Sequence, residues 1–226
     1  MKIDLTEIYK GLAEWRAERG ITAESQKAGY IVNVMEELGE LAQALRDYEK
    51  IKNGERALRA GTFDIKSTLG EMIIFEGTTK GEIEITLEKA EHEIIDALCD
   101  ISVFTINVGA DINCNEKLES INTTTQTTRC NSSLSFLLSE CGNFDYYGKL
   151  SSYVCFNQIL LSCAKLCEQY GFNFQIAMDE TIKEISSRTG AYDENAKKWV
   201  KDESDEAKSK WYKANYNLAR LKKTEK

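Results

Sequence analysis

The chain has 226 residues, of which 42% are hydrophobic and 29% charged, and its net charge is −8. That length supports one large domain or two small ones with a real buried core, and the composition is that of a soluble globular protein. A negative balance argues against a general binder of the phosphate backbone, so no nucleic-acid partner is expected.

The seven cysteines include no Cys-x-x-Cys pair, and the opening Met1-Lys2-Ile3-Asp4-Leu5-Thr6-Glu7 lacks a secretory pattern. The expectation is reduced thiols in a cytoplasmic protein. The longest apolar candidate, 94–108, is interrupted by Asp96 and Asp100 and falls short of the roughly 18 residues of a membrane span, so no membrane partner is expected. A single histidine, His92, argues against a His-rich metal site or a His-dependent triad.

There is no proline, and Glu, Lys, Leu and Ala are abundant, which favours helices. Leu5, Ile8, Leu12 and Trp15 fall near one face of a first helix over 4–19, which Gly20 stops. A second helix runs over 22–51, opened by Thr22 or Ser25, with Ile31, Val34, Leu38, Leu41 and Leu45 among its apolar positions. Residues 52–81 are punctuated by glycines. A small hairpin is expected there, with 72–75 and 82–87 flanking Gly77-Thr78-Thr79-Lys80-Gly81. A third helix covers 86–108, and 113–131 reads as a polar surface linker. Helices over 132–142, 149–170 and 174–188 follow. The tail from 190 to 226 carries ten basic and seven acidic residues with Trp199 and Trp211, so part of it must dock. The expected fold is all-α, an antiparallel helix bundle. Its organisation is a helical unit 1–112 with an insertion at about 52–81, a linker 113–131, and a second helical unit with a charged tail, 132–226.

Acidic residues on two helices are the most informative feature. Glu37 and Glu40 share a face of the second helix, and Glu93 and Asp96 share a face of the third, with Asp100 one turn beyond. Both pairs sit among apolar residues, where like charges repel and burial is costly. A hard divalent cation such as Mg²⁺, or Mn²⁺, compensates such oxygens. Solvated acidic helix faces are the plain alternative for either pair alone. A di-iron bundle needs a Glu-x-x-His on each of two helices, whereas Lys89 stands three before the only histidine.

Glu37-Leu38-Gly39-Glu40-Leu41 followed by Glu93-Ile94-Ile95-Asp96 resembles the E-x-x-E…E-x-x-D signature of the all-α NTP pyrophosphohydrolases, the MazG-like and dimeric dUTPase superfamily. The stretch from Trp15-Arg16-Ala17-Glu18 through Ala42, and Asp96-Ala97-Leu98-Cys99-Asp100-Ile101, are similar to MazG-like proteins of bacteria and phages. The resemblance implies that Glu37, Glu40, Glu93 and Asp96 hold Mg²⁺. It implies an enzyme that cleaves a nucleoside triphosphate to the monophosphate and pyrophosphate, with Glu40 as the base that orients the attacking water. Here 52 residues separate the two motifs, more than the family's short helix–turn, and 52–81 reads as an insertion. The alternatives are a nucleotide- or metal-binding regulator with little turnover, and a structural helical protein with acidic faces.

Ser139-Glu140-Cys141-Gly142-Asn143-Phe144 parallels Glu36-Glu37-Leu38-Gly39-Glu40-Leu41, with Asn143 in place of the second carboxylate, as a second copy that has lost its metal site would, and helical patterning alone can also produce such a match. The resemblance implies a homodimer, because one helix pair cannot bury its apolar face. A fused second copy would complete a four-helix bundle within one chain. Further candidates contact the substrate. Ser187 and Arg188, with Lys183, Lys198 and Lys201, supply groups to offset phosphate charge, in a region that resembles the tail of phage-type relatives. For any individual lysine a solvated charged helix is the plainer reading. Trp15 suits base stacking or a core position, and Asn107, three turns beyond Asp96, suits a sugar or phosphate contact or a helix cap.

Overall fold

The computed structural model describes residues 1–69, 72–110, 114–115, 118–124, 134–146, 149–193 and 198–222. The chain opens with strand β1 (Lys2–Asp4) and helices α1 (Thr6–Glu18) and α2 (Ala23–Lys52). Strands β2 (Leu58–Leu69) and β3 (Met72–Glu84) lead to helix α3 (Leu87–Gly109) and strand β4 (Ser120–Asn122). Helices α4 (Leu134–Tyr146), α5 (Lys149–Gln169) and α6 (Phe174–Ser187) follow. Strands β5 (Gly190–Asp193) and β6 (Lys198–Lys201), a short helix α7 (Asp205–Lys210) and a 3-10 turn (Tyr216–Ala219) form the tail. The protein is mainly helical, with three two-stranded sheets among the described residues rather than none. Among those residues no helix is long and apolar enough to cross a membrane.

Local chemistry sets the helix limits. Thr22 caps α2 by accepting the Ser25 N–H at 3.1 Å, and Thr86 caps α3 by accepting that of Lys89 at 3.1 Å. Asn173 does the same for α6 through Ile176 at 3.2 Å. Past α1 and α5 the chain turns at Gly20 (φ 62°) and Gly171 (φ 85°), a backbone conformation that costs a side chain but not glycine.

Four helices close a ring: α2 packs on α3, α3 on α5, α5 on α4, and α4 on α2. Neighbours run antiparallel. Tyr30 at the start of α2 meets Thr105 near the end of α3, whereas Asp47 and Glu93, at the opposite ends of the two helices, share Arg59. Gly109 of α3 lies so close to the Phe156 ring of α5 that a Cβ there would clash, while Ser102 bonds Cys163 and Cys99 meets Cys167 further along. Tyr30 and Phe144 stack edge-to-face at 5.3 Å, joining α2 to α4. One hydrophobic core runs from Ile3 to Ala219, so the second helical hairpin shares its core with the first. Helices α1 and α6 pack together on the outside of this ring and against α3. Cys99, Cys141, Cys155, Cys163 and Cys167 are free thiols inside it.

Two sequence expectations need correction. The small hairpin is a long one: β2 and β3 pair from Leu58 opposite Glu84 to Leu69 opposite Met72. The glycines read as its turn lie inside β3, with Gly77 opposite Ile65 and Gly81 opposite Gly61. Part of the expected linker is a strand, since β4 pairs with β1 and buries Ile121 against Ile3; its stretch 125–131 lies outside the described residues. The charged tail is built of β5 and β6, α7 and the 3-10 turn, and it folds back onto α3 and α6.

Candidate acidic site

The antiparallel pairing of α2 and α3 brings Glu37 and Glu40 to Asp96 and Asp100, and α6 adds Glu184 and Arg188. Glu37 is half-buried, and its carboxyl is pushed up to about 7, first by burial and then by the charges of Glu40, Asp96 and Glu36, with Arg188 opposing. Burial also raises Asp96. The Tyr216 hydroxyl and Arg188 pull it down, and Glu184 and Glu40 push it up. Asp100 is raised well above the usual carboxylate range by burial, then by Asp96 and Glu37, with Arg188 again opposing. One guanidinium therefore serves a group of carboxylates that repel one another.

Glu93 belongs to a different environment. Arg59, on β2, donates through Nη2 to Glu93 at 2.6 Å and through Nε to Asp47 at 2.6 Å. Asp47 is only 1% exposed and also accepts two bonds from Gln43. Burial pushes Asp47 up, but the bonds from Gln43 and Arg59 outweigh it and leave the carboxyl below its ordinary value. The β2–β3 hairpin thus carries a cation to the pair of helices α2 and α3.

A cleft of about 610 Å³ lies beside both groups, lined among others by Lys89, His92, Glu93, Asp96, Glu184 and Lys213. Lys213 Nζ stands 3.8 Å from Glu184, and His92 Nε2 lies 3.3 Å from Asn217. Among the described residues no group of three or more His, Cys, Asp or Glu side chains is gathered closely enough to hold a metal ion. The chemistry of Glu37, Glu40 and Asp96 nevertheless fits a hard divalent cation: oxygen donors only, in surplus over the neighbouring positive charge.

The substrate candidates separate. Arg188 reaches the acidic group, and its Nη2 is held by Glu184 Oε1 at 2.9 Å. Ser187 is adjacent but occupied, donating to the Glu184 carbonyl at 2.7 Å and accepting the Tyr212 N–H at 2.8 Å. Lys183 pairs with Glu180 at 2.6 Å. Trp15 is not presented to the acidic group: its indole N–H donates to the Ile185 carbonyl at 3.2 Å, and its ring packs against the core. Asn107 is fully buried and accepts from Arg16 at 2.5 Å, so it is a core contact between α3 and α1 rather than a helix cap. Lys201 is exposed on β6, along a separate shallow concavity, and the side chain of Lys198 lies outside the described residues.

Arg19 fixes the placement of Arg188. Its guanidinium donates to the carbonyls of Ser186 at 2.9 Å and Arg188 at 3.1 Å at the end of α6, and its ring partners are Trp15 and Trp199. The acidic site also includes residues outside the sequence-derived set: Asp100, Glu184, Lys213 and Tyr216. Asp100 follows Asp96 by one turn and was legible as such. The other three come from α6 and the tail, with no motif to announce them. No family model, curated protein or solved structure matches the chain.

Proposed function

We propose that the protein is a Mg²⁺-dependent nucleoside triphosphate pyrophosphohydrolase of the MazG-like kind, releasing the monophosphate and pyrophosphate. The observation that carries this reading is that Glu37, Glu40 and Asp96, on antiparallel helices, feel one another's charge with a surplus of negative charge, and that Asp96 lines an open cleft. Glu37, Glu40 and Asp96 would hold the metal, and Glu93, which lines the same cleft as Asp96, would join them by leaving Arg59. A bound divalent cation supplies Lewis-acid polarisation of phosphate oxygens and a more acidic water.

The chain's own groups do the rest. Glu40 is exposed and free to orient a water and take its proton. Lys213 and Lys89 line the cleft and offset phosphate charge, and Arg188 lies beside the carboxylates with a guanidinium that forks onto phosphate oxygens. Because α4 and α5 already complete the helix ring, a homodimer would use an outer face, where Val32 and Met35 of α2 are exposed.

A regulator with little turnover is the second reading. It is favoured by the existing partners of two ligands, Arg59 on Glu93 and Tyr216 on Asp96. Incubation with Mg²⁺ and a panel of deoxynucleoside triphosphates separates the two. Monophosphate and pyrophosphate, lost in Glu37→Gln with Asp96→Asn, support the enzyme. Mg²⁺-dependent binding without products supports the regulator, and no binding overturns both.

A further inference from the structure

Tyr216 lies in the 3-10 turn of the tail and is almost fully buried. Its hydroxyl donates to Asp96 Oδ1 at 2.6 Å, across 120 residues of sequence. On its other side stands Thr181 Oγ1 at 3.0 Å, which also bonds the Ala177 carbonyl at 3.0 Å. The tyrosine has one proton, and an ionised carboxylate at this distance takes it in preference to a neutral hydroxyl.

The strap around Tyr216 is held independently of Asp96. The backbone N–H of Ala214 donates to Glu184 at 2.8 Å, and that of Asn215 to the buried Glu180 at 3.0 Å. Asn217 reaches Glu88 and Arg220 reaches Glu91, both at 2.8 Å and both on α3. Leu221 N donates to the Gly171 carbonyl at 2.8 Å. Tyr216 is thereby fixed from α3, α6 and the end of α5, and it cannot follow Asp96 if the carboxylate turns.

We infer that Tyr216 is a positioning residue, which pins Asp96 by one oxygen so that the other is presented to a divalent cation in the acidic site. The inference rests on the metal-dependent reading above and names the tail as a working part of that site. The carboxylate torsion is soft, so an unpinned Asp96 samples orientations that a rigid metal geometry rejects. Tyr216 acts through Asp96 and is not a catalytic residue.

The test is Mn²⁺ binding to the full chain, followed by electron paramagnetic resonance, for the wild type, Tyr216→Phe and Leu218→Ala. Phenylalanine keeps the ring and removes only the hydroxyl. Leu218 is exposed in the same turn and serves as the strap control. The expected result is Mn²⁺ affinity weakened about tenfold or more in Tyr216→Phe and unchanged in Leu218→Ala. Equal affinity in wild type and Tyr216→Phe overturns the positioning role and leaves the functional reading standing, even if Tyr216→Phe melts lower. Absence of binding in the wild type overturns the functional reading and this inference with it. If Tyr216→Phe fails to fold, Thr181→Val loosens the same hydroxyl. A weakening of a few-fold supports the role, and unchanged affinity overturns it.

Discussion

Two groups of carboxylates lie along the same pair of helices, and they are neutralised in opposite ways. Asp47 and Glu93, at the end of α2 and the start of α3, share Arg59 through two bonds of 2.6 Å, and Asp47 is held below its ordinary pKa. Glu37, Asp96 and Asp100, further along, share one guanidinium, and Glu37 is pushed up to about 7. The first group is a finished structural ion pair with its cation built into the chain. The second is short of positive charge, and the fold tolerates it at a cost. Sites that bind cations are made this way, because a buried charge deficit becomes favourable only when the ligand arrives.

The largest expected effect comes from breaking the finished pair. Arg59→Ala leaves Asp47 buried without its cation, and chemical denaturation should show a loss of about 2–4 kcal/mol. Arg188→Ala attacks the other group. It should cost about 1–3 kcal/mol at pH 8, and distinctly less at pH 5, where Glu37 carries a proton. The difference between the two pH values is the useful number, since Arg59→Ala should show little of it.

Glu37→Gln sharpens the contrast from the opposite direction. The folded protein holds the Glu37 proton more tightly than the unfolded chain does. That contribution to stability is complete below the ordinary value of 4.5 and is lost as pH rises through about 7. Glutamine should therefore stabilise the protein at pH 8, by about 1 kcal/mol after solvent screening, and leave it unchanged at pH 4.5. Lys201→Ala should change neither stability nor metal response, because its side chain is exposed on β6 and lines a different concavity; thermal melts with and without Mg²⁺ check this.

The helices were legible because their signals are local. Thr22, Thr86, Gly20 and Gly171 mark ends with chemistry confined to one turn, and the apolar spacing of α2 and α3 fixes which acidic residues share a face. The hairpin was misjudged for a related reason. Glycines suggest a turn when read locally, yet Gly81 stands opposite Gly61 in a ladder whose length depends on pairing across more than twenty residues. The strap was invisible. Tyr216 sits in a charged tail, and nothing near it in sequence reports that Asp96 is its partner. Arg59 is the same case, since a basic residue in an apparent insertion gives no sign of reaching Asp47 and Glu93. The carboxylates themselves were readable, and the groups that neutralise them were not.

The most direct test of the charge-deficit account is the melting temperature of the wild-type protein between pH 4.5 and 8, in a chelator and in millimolar Mg²⁺. The account predicts a fall in stability across this range in the chelator, recovered by Mg²⁺ at pH 8 but not at pH 4.5. It also predicts that Glu37→Gln with Asp96→Asn abolishes the recovery. Identical melting with and without Mg²⁺ at pH 8 would contradict it.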